Sequence, residues 1–155
     1  MVVHEGGRIL VTGALGQIGT DLVQSLRYIY GSDNVIASDI REKKDHLCIQ
    51  NGPYINLDVL DKDRIFKIVV EKKVKIIYHL AAILSAKGEE NPDLCELINV
   101  EGTRNIFEAA REFNLRVFAP SSIAVFGPDT PKNAPQITPL NPTTCLLYTS
   151  DAADD

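Results

Sequence analysis

The chain has 155 residues, 45% of them hydrophobic and 24% charged, with a net charge of −5 and a pI near 5.2. That length supports one α/β core and about one domain. The acidic balance speaks against nucleic acid and anionic membrane surfaces as partners, and no apolar run approaches the ~20 residues of a membrane span.

The first element is a short apolar strand, Ile9-Leu10-Val11, running into Gly13, Gly16 and Gly19 at a G-x-x-G-x-x-G spacing. A helical pattern follows: Ile18, Leu22, Val23 and Leu26. In this strand–turn–helix setting Gly13 permits a tight turn, Gly16 lets the backbone approach a pyrophosphate, and Gly19 lets the helix pack close on the strand. The pyrophosphate would sit at the helix N-terminus, where free N–H groups and the helix dipole favour negative charge. Gln17 and Ile18, between the second and third glycines, join the glycines as candidate cofactor-binding residues.

A second strand over residues 34–39 ends in Asp39, roughly 20 residues beyond the last glycine, where a carboxylate accepts hydrogen bonds from the adenosine ribose. Its charge would repel a 2′-phosphate, which points to NAD rather than NADP. Arg41, two residues on, is a residue that could meet such a phosphate. After a polar stretch at 41–45, residues 53–58 form a third strand ending in Asp58. Residues 61–73 form a helix with Ile65, Ile68 and Val69 on one face and Asp61 and Asp63 at its start. Residues 74–80 are a fourth, buried-type strand. A long helix over 94–114 carries Leu97, Ile98, Gly102, Ile106 and Ala109 at helical spacing, and residues 115–119 are a fifth strand running into Pro120-Ser121-Ser122.

Strands alternating with helices predict an α/β fold, a Rossmann-type doubly wound parallel sheet. Ligands then bind at the carboxyl ends of the strands, and Gly13, Asp39, Asp58, Ala81 and Ser122 all fall at or just past such ends. Cys48, Cys95 and Cys145 form no C-x-x-C pair, and His4, His46 and His79 are scattered, so reduced thiols in a cytoplasmic protein are expected, without a disulfide or metal site. Residues 1–7 show no targeting pattern.

The motifs Thr12-Gly13-x-x-Gly16-x-x-Gly19, Asp58-Val59, His79-Leu80-Ala81-Ala82, Asn99-Val100-x-Gly102-Thr103 and Ser121-Ser122-x-x-Val125-Phe126-Gly127 resemble the extended short-chain dehydrogenases, a group that includes nucleotide-sugar epimerases and dehydratases. The resemblance runs over residues 8–144. Within the group, the loop at 80–89 and the segment Val125-Phe126-Gly127-Pro128-x-x-Pro131 are similar to the short-chain type of L-threonine 3-dehydrogenase. The resemblance implies roles. Asp58 and Val59 would lie by the adenine. Leu80, Ala81 and Ala82 would pass behind the ribose and nicotinamide. Asn99 would support the active site and its water chain, and Ser122 would hold the reacting alcohol. Ser85 and Lys87 would face the amino-acid substrate, although Lys87 reads equally well as a solvated loop charge. The implied reaction is NAD-dependent oxidation of L-threonine at carbon 3 to 2-amino-3-ketobutyrate, by a parent enzyme that is a homodimer.

Similar enzymes draw the substrate proton with a Tyr-x-x-x-Lys pair on the next helix. Here that pair is absent: Leu146 stands where the tyrosine is expected, and Tyr148 is followed four residues later by Ala152. Residues 145–155 resemble no helix of the family. They back-translate to a DNA string resembling a transposase adapter used in sequencing libraries. The expectation is therefore a truncated NAD-binding Rossmann domain over 1–144, incomplete at its C-terminus, followed by a non-native tail at 145–155 and inactive by itself. Two alternatives stand beside it: a nucleotide-sugar epimerase or dehydratase, and a non-catalytic NAD-binding module.

Overall fold

A computed structural model of the chain describes residues 7–121, 126, 128–135 and 137–139. Five parallel strands, β1 (Arg8–Thr12), β2 (Val35–Asp39), β3 (Tyr54–Asn56), β4 (Val74–His79) and β5 (Arg116–Phe118), form one sheet in the order β3-β2-β1-β4-β5. β1 lies in the middle of the sheet, β2 and β3 extend it to one edge, and the chain then crosses back to build the other through β4 and β5. This is the doubly wound order, and its switch point lies between β1 and β4.

Side-chain alternation along each strand explains the two-sided core. Ile9 and Val11 of β1, with Val35 and Ala37 of β2, pack with Val23 and Leu26 of helix α1 (Gln17–Tyr30). Leu10 and Ile36 point the other way. They join Ile77, the Ile65, Ile68 and Val69 face of helix α3 (Lys62–Glu71), and Ile106 and Ala109 of helix α6 (Gly102–Phe113). Strands buried on both faces are the reason β2 has no exposed residue along its length.

The remaining elements are short. Helix α2 (Leu47–Gln50) follows the polar loop after β2, helix α4 (Ser85–Glu90) follows β4, and helix α5 (Pro92–Glu96) leads through one wide π-helical turn (Leu97–Glu101) into α6. Neither α2 nor α4 is visible as a periodic pattern, because four to six residues are too few to show one. The long helix expected over 94–114 is thus divided by the π turn. Helix α3 begins one residue later than expected because Asp61 is its N-cap, accepting the Arg64 N–H at 2.9 Å. The third strand stops at Asn56, leaving Asp58 two residues past its end. Along α1, Ile18 is 70% exposed, while Gly19 and Val23 face the core. No helix among the described residues is long and apolar enough to cross a membrane.

Candidate functional site

The turn after β1 is built around Gly13, which has φ +67. A Cβ at Gly13 would stand 2.6 Å from the carbonyl carbon of Leu80, and one at Gly19 would stand 2.3 Å from the Gly13 carbonyl oxygen. The first glycine lets the β1 turn press against the loop after β4, and the third lets α1 press against the turn. Gly16 differs: a Cβ there would meet only the Gly13 carbonyl oxygen, at 3.2 Å, with open space beyond. Gly16 is also the N-cap of α1, which has no side-chain cap and no acidic residue in its first turn. Among the described residues, no acidic side chain caps the N-terminus of this 14-residue helix, which leaves a cradle of N–H groups that can hold a pyrophosphate. Gln17 and Ile18 are exposed on the first turn of α1.

Asp39 closes β2 and is buried. Its Oδ2 accepts the Leu15 N–H at 3.1 Å, tying the acid to the glycine turn, and Arg41 pairs with both carboxylate oxygens at 2.9 and 3.0 Å. Burial pushes the carboxyl upward in pKa, but the hydrogen bonds from Arg41 and Leu15 outweigh it and hold Asp39 below its ordinary value. Asp58 accepts the Leu60 N–H at 2.9 Å in the turn leading to α3. Val59 is buried against Gly102, where a Cβ would come within 2.7 Å of Val59 Cγ2.

At the ends of β1 and β4 sits a polar relay whose three residues, Thr12, His79 and Thr103, stand in the sequence motifs but carry no role there. Thr12 and His79 are register partners. The Thr12 hydroxyl accepts the Leu80 N–H at 3.3 Å and lies 2.8 Å from His79 Nδ1, and His79 Nε2 lies 3.1 Å from the Thr103 hydroxyl. With the Thr12 proton directed at Nδ1, the proton on Nε2 faces Thr103. Burial lowers the His79 pKa to about 4, so the ring is neutral. The available sequence signal was a histidine at the inner end of an apolar strand. The relay ties the β1 turn, the β4 end and α6 together under Leu80 and Ala81, which are half-buried, and beside Ala82, which is exposed.

Asn99 lies in the π turn and is buried. Its Oδ1 accepts the Ile83 N–H at 2.8 Å and its Nδ2 donates to the Ile83 carbonyl at 3.1 Å. Asn99 thus fixes the start of the loop after Ala82 and acts as a positioning residue. Irregular helical turns of this kind recur at functional sites. The backbones of Ser85 and Lys87 lie in α4, their side chains outside the described set, and Ser122, Cys145, Leu146 and Tyr148 lie outside the described residues. Of the residues expected on one rim, Gly13, Asp39, Asp58 and Ala81 are described, and each lies at or within two residues of a strand's carboxyl end. Cys48 and Cys95 are buried, and neither is in a disulfide among the described residues.

Comparison with known proteins agrees with this architecture. The model of the NAD dependent epimerase/dehydratase family matches residues 9–149. An uncharacterized epimerase/dehydratase of Staphylococcus aureus (strain USA300) is 52% identical over 138 residues, covering 88% of this chain and 43% of that protein. A monomeric L-threonine 3-dehydrogenase from a metagenome superposes with a TM-score of 0.87 at 48% identity, over 94% of this chain and 46% of its own. The L-threonine dehydrogenase of Clostridium difficile gives a TM-score of 0.93 at 42% identity, over 97% of this chain and 48% of its own. The chain spans about half the length of these relatives. A family model that covers most of the sequence, together with the doubly wound sheet and the glycine turn, places the chain in the NAD dependent epimerase/dehydratase family.

Proposed function

We propose that this chain carries the NAD-binding part of an L-threonine 3-dehydrogenase, which oxidises carbon 3 of L-threonine to 2-amino-3-ketobutyrate. The observation that carries the reading is its likeness to proteins described as L-threonine dehydrogenases, up to 48% identical over nearly the whole chain. The pyrophosphate belongs on the α1 N-terminus above Gly16, the adenosine ribose on Asp39, and the adenine beside Asp58 and Val59. Leu80, Ala81 and Ala82 back the nicotinamide half, where bound NAD supplies the hydride acceptor. Ser122 orients the substrate hydroxyl, Ser85 and Lys87 face the amino acid, and Asn99 holds the loop between them.

The 155-residue chain by itself does not turn over threonine on this reading. A general base contributes ~10²–10⁴-fold, and the Tyr-x-x-x-Lys pair is absent from the sequence. Residues 145–155 are a non-native tail on the same reading, and the parent enzyme works in the cytoplasm. Recovering the genomic reading frame past Thr144 tests both points: it should run into Tyr-x-x-x-Lys, and the protein expressed from it should form NADH with L-threonine. A complete protein that ignores threonine and interconverts nucleotide sugars would establish the epimerase alternative, which the description of the curated relatives as epimerase/dehydratases keeps open. A frame that ends at Asp155 would favour the non-catalytic NAD-binding module.

A further inference from the structure

Thr12 and His79 close β1 and β4 on the two sides of the switch point, and both are buried. The protons along the line from Thr12 to Thr103 can be placed. Among the described residues the Thr12 hydroxyl touches the Leu80 N–H, which it accepts at 3.3 Å, and His79 Nδ1, at 2.8 Å. At 1% exposure Thr12 is shut off from solvent, so the acceptor open to its own proton is Nδ1. A neutral imidazole with a bare Nδ1 carries its proton on Nε2, and Nε2 lies 3.1 Å from the Thr103 hydroxyl. Thr103 is half-buried on α6, so its oxygen can accept from the ring while its own proton turns to water. With the opposite tautomer the ring would donate to Thr12, and the Thr12 proton would be buried without an acceptor.

The other end of this line of bonds is backbone. The Leu80 N–H is shared between the Thr12 carbonyl, at 3.2 Å, and the Thr12 hydroxyl, at 3.3 Å. The peptide that follows lies hard against the glycine turn: a Cβ on Gly13 would stand 2.6 Å from the Leu80 carbonyl oxygen and 2.7 Å from the Ala81 nitrogen. A close-packed peptide with no slack on one side passes a shift of its anchor on to its neighbours, here Gly13 and Ala81.

We propose that Thr103 is a positioning residue for the nicotinamide half of the dinucleotide: it selects the Nε2–H form of His79, which keeps the Thr12 hydroxyl as an acceptor for the Leu80 N–H and so sets the Leu80–Ala81 peptide behind the cofactor. The inference rests on the reading of this rim as an NAD site. Thr103 acts through His79 and Thr12. The adenosine half is held instead from Asp39 and the α1 N-terminus, so the relay bears on one half of the ligand.

The test titrates the full 155-residue chain by calorimetry with NAD and with ADP, which carries the adenosine half alone, in wild type, Thr103→Val and Thr103→Ser. Wild type should bind NAD more tightly than ADP. Thr103→Val, which keeps the shape and removes the hydroxyl, should reduce that preference by about three- to tenfold, the share of one neutral hydrogen bond. Thr103→Ser should restore it. General destabilisation lowers both affinities alike, so the ratio separates positioning from a structural role. Nitrogen NMR spectra of the wild type, with the His79 ring assigned by its loss in His79→Gln, should show the proton on Nε2. A proton on Nδ1, a wild type with no preference for NAD over ADP, or a preference unmoved in Thr103→Val overturns the role of Thr103 and leaves the NAD site standing. A wild type that binds neither ligand overturns both.

Discussion

Asn99 holds Ile83 by both ends of its peptide backbone, with the side-chain amide accepting the N–H at 2.8 Å and donating to the carbonyl at 3.1 Å. A residue in the turn between two helices thereby sets the loop that leaves β4. Asn99→Ala should leave those two groups unpaired, at a cost of about 1–3 kcal/mol. The selective readout is amide hydrogen exchange. The Ile83 amide should lose protection in the variant while the amides of β1 keep theirs. Protection at Ile83 equal to wild type would show that the loop is held by something else.

His79 predicts a pH dependence. Its folded pKa is about 4 against 6.5 for a free histidine, so the unfolded chain takes up a proton that the fold refuses. The corresponding stability is fully present above pH 6.5 and is lost as pH falls toward 4, amounting to roughly 3 kcal/mol over that window. Asp39 acts lower down, because its depressed pKa brings loss of stability only below its ordinary value of 3.8. Urea unfolding between pH 7 and 4 should show a steep acid limb in the wild type and a shallower one in His79→Gln. Parallel limbs would rule out the buried neutral ring as the cause.

The three glycines should separate into two kinds. Gly13→Ala combines a left-handed backbone with a Cβ 2.6 Å from the Leu80 carbonyl carbon and should cost at least about 2 kcal/mol. Gly19→Ala should behave similarly, since its Cβ would meet backbone at 2.3 Å. Gly16→Ala should cost about 1 kcal/mol or less and yet weaken NAD binding, because its methyl group would enter the space above the α1 N-terminus. Thermal melts paired with NAD titrations would decide this. Full NAD affinity in a well-folded Gly16→Ala protein would remove the pyrophosphate from that position.

Arg27 is buried, and its guanidinium donates to the carbonyls of Val35, Cys48 and Pro53 at 2.7–3.3 Å. It joins α1 to β2, α2 and the start of β3. Arg27→Met should cost about 2–4 kcal/mol by leaving those carbonyls unpaired. A Cβ on Gly52 would stand 2.8 Å from Arg27 Cζ, so Gly52→Ala should also destabilise, by about 1–3 kcal/mol. In the double variant the two costs should be less than additive, because the alanine at 52 acts through the guanidinium. Strict additivity in chemical denaturation would show that Gly52 is needed for another reason.

Much of this molecule was legible before any tertiary structure. The apolar strand Ile9-Leu10-Val11 followed by spaced glycines, the acid about 20 residues on, and the strand–helix alternation prescribe a doubly wound sheet with its site along one rim, because these signals depend on neighbours close in sequence. The face of α3 was legible for the same reason. The short helices α2 and α4 were not, since so few residues show no period, and the π turn was hidden because Leu97, Ile98 and Gly102 still fit an ordinary helical pattern.

What only the tertiary structure decided are pairings between distant positions. Thr12 meets His79 because β1 and β4 are neighbours across the switch point. Asn99 meets Ile83 because the helix folds back over the β4 end, and Arg27 meets the Pro53 carbonyl across α1 and the sheet. Even Asp39 and Arg41, two residues apart, could be read from sequence only as an acid and a nearby base. Their pairing depends on β3, where Tyr54 and Asn56 grip the intervening backbone and set the guanidinium over the carboxylate. A buried polar group needs a partner wherever the fold supplies one, and sequence spacing alone does not say where that is.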